Sequence, residues 1–148
     1  MSVPLIDIAD AVVTALNVAE LSLDFTATRE YVPKFDAANA ASVQVQVVPK
    51  QDTREMGSPA EDDALVAIDI GVMKKLQGTL AEEKAEMDAL LGLCEGIKAL
   101  LNRERLAGVE DSVCLGLGQQ IPYDVDQFDV DRVFLTVITA TFATPVAV

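Results

Sequence analysis

The sequence predicts an α+β domain: a mainly antiparallel four- to five-stranded sheet, with an N-terminal helix and a long amphipathic helix packed on one face. Three observations carry the prediction. Apolar residues recur at helical spacing in Leu5–Leu16 and again after Thr79. They alternate with period two in Leu21–Thr28, Ser42–Val48, Ala64–Met73 and Val130–Thr144. The links among those alternating runs are hairpin-like, which favours antiparallel pairing.

The first helix places Leu5, Ala9, Val12, Val13 and Leu16 on one stripe. Pro4 suits its first turn, and Asp7 and Asp10 suit the positive end of its dipole. In the first strand Leu21, Leu23, Phe25 and Ala27 alternate with Ser22, Asp24, Thr26 and Thr28. Residues 29–41 form an extended connection, because Pro33 biases Val32 away from the helical region. In the second strand Val43, Val45 and Val47 alternate with Gln44 and Gln46, and Pro49 is expected to end it.

Residues 50–63 are polar, contain Gly57, Ser58 and Pro59, and are long for a hairpin link of ~2–5 residues. They read as a projecting flexible arm. The third strand presents Val66, Ile68, Ile70 and Val72 on one face. Thr79 and Glu82 then form a capping-box pattern that opens the long helix, with Leu90, Leu91, Cys94, Ile97 and Leu101 on its apolar stripe. A short strand at Ser112–Leu117 is expected to end at Gly116 and Gly118. The final strand is apolar or β-branched on both faces, which suits a central position.

Composition limits the function. The chain has 148 residues, which fits one domain, 1–148. Its 24 acidic residues against 11 basic ones give a net charge of −13, unsuited to binding nucleic acid phosphates. DNA is expected only as passing cargo, kept from adhering by like charge. With 51% apolar residues, the chain carries more apolar character than so acidic a monomer needs, so part of it is expected to face partner subunits. No signal peptide or membrane span is expected, and the protein is placed in a cytoplasm.

The chemistry-bearing residues are few. The chain has no histidine, which excludes a Ser-His or Cys-His nucleophile pair and the commonest metal ligand. Cys94 and Cys114 lie in apolar contexts and read as small buried residues in a reducing compartment. Gly116-Leu-Gly118 lacks the remainder of a phosphate loop. The acidic run Asp124, Asp126, Asp129 and Asp131 invites a calcium test, but Phe128 and Asp129 break the EF-hand pattern, so it reads as a solvated loop. Lys74-Lys75 and Glu82-Glu83 read as element termini on solvated faces. No enzyme activity, cofactor or metal is expected. Arg29, Tyr31, Phe35, Arg54 and Arg132 are the candidate contacts to other subunits or partners.

The element order resembles the tail-terminator, or tail-completion, proteins of long-tailed bacteriophages. The resemblance rests on the helix Leu5–Leu16, the strands Ser42–Val48 and Ala64–Met73, the helix after Thr79 and the closing run Phe134-Leu-Thr-Val-Ile-Thr-Ala-Thr-Phe142. It covers nearly the whole chain by pattern, without a diagnostic motif. Residues 29–36 and 50–63 have no counterpart in it. The resemblance implies a homohexameric ring in the virion neck or tail, assembled in the host cytoplasm. Such a ring caps the tail tube, stops its polymerisation and meets a head-completion or neck protein. Another head-closure, neck or tail-tube subunit is the alternative. A small metal-binding domain using residues 124–131 is the second.

Overall fold

A computed structural model describes residues 3–32, 42–56, 61–76, 79–103, 106, 108–121 and 133–147. The elements run α1 (Pro4–Val18), β1 (Thr26–Arg29), β2 (Gln44–Met56), β3 (Glu61–Lys75), α2 (Leu80–Arg103), β4 (Val113–Gln120) and β5 (Val133–Ala147). This is an α+β fold. The five strands form one mixed sheet in the order β1-β2-β3-β5-β4, in which only β1 and β2 pair in parallel.

Strand alternation decides where the core sits. Ala64, Val66, Ile68, Ile70 and Val72 of β3 are fully buried, and the register sets Ala140, Ile138 and Thr136 of β5 opposite the last three of these. Val45 and Val47 of β2 continue the same face. Both helices cover it: Ile8, Ala9, Val12 and Leu16 of α1, and Leu90, Leu93, Cys94, Ile97 and Leu101 of α2, belong to one buried cluster with these strand residues. Each fully buried Ile or Phe there contributes roughly 1.5–3 kcal/mol of transfer free energy. The opposite face carries Gln46, Ala67, Asp69, Gly71, Val137, Thr139 and Thr141, none of which joins that cluster.

The capping box at α2 forms as its pattern predicts. The Glu82 N–H donates to Thr79 Oγ1 at 3.4 Å, and the Thr79 N–H donates to Glu82 Oε2 at 3.2 Å. Glu83, expected on a solvated face, is instead 2% exposed. Lys74, also expected there, pairs with Glu86 Oε2 at 3.2 Å and ties the end of β3 to the second turn of α2.

Several strand boundaries differ from expectation; β3, for one, runs Glu61–Lys75 and not Ala64–Met73. β1 begins at Thr26, not Leu21; Leu21, Leu23 and Phe25 still pack against the core, but as irregular chain. β2 does not end at Pro49. It continues to Met56 across an irregularity between Pro49 and Gln51, and β1 flanks it only as far as Val47, so the missing proline N–H breaks no ladder bond on that side. β4 runs through Gly116 and Gly118, because pairing with β5 outweighs their weak strand preference. β5 reaches Ala147, with Pro145 inside it at a place where β4 no longer flanks it.

Candidate interaction surfaces

The segment 50–63 is largely strand. Residues 51–56 of β2 pair with 62–67 of β3, and β5 extends beside them from Thr141 to Ala147. The result is a three-stranded extension of the sheet. Every side chain from Lys50 to Met56 is exposed, and Met56 is 94% exposed. Arg54 is held within the extension: its Nε donates to Asp52 Oδ1 at 3.0 Å and its Nη2 to Asp52 Oδ2 at 3.3 Å.

Arg29 ends β1 and reaches back to α1, where its Nη1 lies 3.3 Å from Asp10 Oδ1. Its guanidinium also sits 5.5 Å from the centroid of the Tyr31 ring, in cation–π geometry. Tyr31 itself is 66% exposed. Arg29 and Tyr31 thus form one small surface unit, and Arg54 stands apart on the extension. Phe35 and Arg132 lie outside the described residues, as does the run Asp124–Asp131.

The two outer edges of the sheet are treated differently. At β1 the Ala27 N–H donates to Asn17 Oδ1 at 2.7 Å, and Asn17 Nδ2 donates to the Ala27 carbonyl at 3.0 Å. The carboxamide of Asn17 takes the place that a neighbouring strand's peptide would fill, so the β1 edge is closed from within. At β4 no strand pairs on the outer side among the described residues. Its exposed side chains are apolar except Gln120: Val113 is 46% and Leu115 59% exposed, with Ile121 just beyond at 53%. Residues 113–121 contain no charged side chain and no proline. Leu115 is the extra residue of a bulge between Cys114 and Gly116. The far end of β4 is fixed to β5: Thr136 Oγ1–H donates to the Gln120 carbonyl at 3.0 Å, and Gln119 Nε2 donates to Thr136 Oγ1 at 3.1 Å.

β2 has a free edge as well. Above Val47, where β1 stops, its outer side from Val48 to Met56 has no partner strand among the described residues.

The thiols suit packing. Burial pushes the Cys94 thiol up to about 11, against a smaller opposing effect of Lys98. Burial also raises the Cys114 thiol, partly offset by a backbone hydrogen bond at Gly116. Neither environment favours a thiolate at neutral pH. Among the described residues no cluster of three or more Cys, Asp or Glu side chains could hold a metal ion. No helix described is long and apolar enough to cross a membrane. Two shallow hollows are present, one lined by Leu91, Gly92, Glu95, Gln119 and Ile121, the other by Pro4, Asp7, Ile8, Val109 and the segment Thr144–Val146. Neither gathers a set of convergent polar groups of the kind that fixes a small ligand.

Sequence reasoning passed over Asn17 and Met56. Asn17 has no local signature, because its partner is ten residues away. Met56 was placed in a loop, where a lone methionine carries no signal.

No family model matches the chain, and no curated protein matches it. A search of solved structures finds a similar chain in the virion of native gene transfer agent (GTA) particle. The likeness covers 96% of this chain and 96% of that one, with a TM-score of 0.53 and 14% identity. The shared property is the fold.

Proposed function

We propose that the chain is a structural subunit of a virion. The observation that supports the reading most strongly is the co-extensive likeness in fold to a chain of the gene transfer agent virion. Within that reading the chain is a tail terminator: a hexameric ring that caps the tail tube, stops its growth and presents a surface to a head-completion or neck protein. The helix–strand order that resembles the terminators supports this narrower role. Its free strand edges, exposed apolar residues and acidic surplus suit a ring through which DNA passes without adhering. The role is non-enzymatic, consistent with the absence of histidine and the raised thiols.

The experiment is purification followed by light scattering and negative-stain microscopy, alone and with tail tubes. Closed rings that bind tube ends are the expected result. A strictly monomeric species at high concentration that ignores tube ends would overturn the proposal. Rings that co-purify with a head-closure or tube component, and leave tube ends free, would move the subunit to another position in the same particle.

A further inference from the structure

We infer that successive copies of this chain join by edge-to-edge strand pairing, with β4 of one copy seated on the free upper edge of β2 of the next. This rests on the assembly reading above and deepens it by naming the contact.

Four observations converge. First, β4 is an outer strand that lacks charge and proline, two of the usual protections, although it carries a bulge, and no strand covers its outer side among the described residues. Edge strands are ordinarily blunted by charge, proline or a covering element. Residues 113–121 have neither charge nor proline, and the single bulge turns Leu115 outward. Second, the opposite end of the sheet is closed by Asn17 at Ala27, so a partner strand meets an occupied edge there. Among the described residues the other long free edge is that of β2 above Val47, which carries Pro49 and the charged residues Lys50, Asp52, Arg54 and Glu55.

Third, the two edges are compatible in direction. Gln51–Met56, beyond Pro49 and its missing N–H, lies opposite part of Val113–Gln120 with its one bulge residue. In the sheet, β2 and β5 run one way, and β3 and β4 run the other. A neighbour in the same orientation therefore brings its β2 antiparallel to β4. In that alignment the exposed Met56 of one copy falls at the Val113–Leu115 end of the other, so the large exposed apolar residues of both edges meet. Within a single chain this contact is impossible, because β3 and β5 lie between, three strand spacings or about 14 Å.

Fourth, the charges select the partner. A chain of net charge −13 repels another copy of itself except across neutral surface. β4 is that surface. The extension that meets it carries Asp52, Arg54 and Glu55, so an uncharged edge opposite them brings no like charges together. Because the two edges differ, the contact is head-to-tail, the kind that closes into rings.

The test uses two full-length variants, Met56→Asp and the double variant Val113→Asp/Leu115→Asp. All three side chains are exposed, so each variant is expected to keep the wild-type circular dichroism spectrum and to melt cooperatively, with the midpoint of an unassembled subunit. Each variant alone is expected to lose assembly and run as a monomer. Mixing the two is expected to restore a dimer and no more, since one intact edge remains on each. Amide exchange along 113–120 and 51–56 is expected to slow when wild-type subunits assemble. If the wild type forms rings and both variants do too, the edge contact is wrong while the ring reading stands. If the mixture stays monomeric while each variant is folded, the head-to-tail pairing is wrong. A monomeric wild type would remove both.

Discussion

Asn17 is joined to Ala27 by two hydrogen bonds that run in opposite directions, 2.7 Å from the Ala27 N–H and 3.0 Å to its carbonyl. One side chain thereby satisfies both main-chain groups that point away from the sheet at that residue. It also fixes the last turn of α1 against β1, which links helix placement to sheet placement.

Replacing Asn17 by Ala removes both bonds and leaves two part-buried main-chain groups without a partner. The expected loss is ~1–3 kcal/mol in urea unfolding. Asn17→Asp retains the acceptor but sets a carboxylate oxygen against the Ala27 carbonyl in the last turn of a helix, so it is not expected to recover the loss at neutral pH.

Thr79→Ala removes the hydroxyl that accepts the Glu82 N–H at the start of α2. A loss of about 1 kcal/mol is expected, read as a shift in thermal midpoint. Glu82→Ala should cost less, because the Thr79 N–H it releases is exposed to water.

Ile138 is fully buried on the interior strand β5, opposite Ile70 of the central strand β3. Ile138→Ala is expected to cost ~2–5 kcal/mol, and Ile138→Val ~0.5–1.5 kcal/mol. Leu115→Ala on exposed β4 should change monomer stability by about 0.5 kcal/mol or less. Denaturant midpoints for the three variants check the ranking.

Elements with a strong period were readable from sequence for a physical reason. The α1 and α2 stripes and the alternations of β3 and β5 each report a single buried face. Period two cannot report which strands are neighbours. The parallel β1–β2 pair therefore had no signal, and the mainly antiparallel expectation holds for the other three pairings only. Pro49 and the glycines of β4 misled because their local preference is weak against a ladder completed by a distant strand. Glu83 misled because a charged residue in a first helical turn is ordinarily wet. For the interaction surfaces, Arg29, Tyr31 and Arg54 were identifiable as residue types. Their partners, Asp10 and Asp52, depend on the fold, and so do the free edges.

The thiols give a pH prediction. Burial raises the Cys94 thiol from 9.0 to about 11. A folded-state value above the unfolded one means that the protonated thiol favours the fold. That contribution is complete below about pH 9 and is lost as the pH rises through about 11. Relative to Cys94→Ala, the wild type should lose stability across that window and hold constant below it. At pH 8, Cys94 should resist a maleimide in the folded state, and half-buried Cys114 should react first.

The position of β5 has a consequence for synthesis. It lies between β3 and β4 although it follows both in the chain, and among the described residues β4 pairs with no other strand. A chain emerging from the ribosome can form the β2–β3 hairpin early, but β4 has no seat until residues 133–143 arrive. Non-local pairing of this kind is slow. The uncharged β4 edge is therefore presented in a rigid sheet only after translation has passed through β5. Incomplete chains would lack that surface, and the order of the strands would act as a proofreading step before a subunit joins its neighbours.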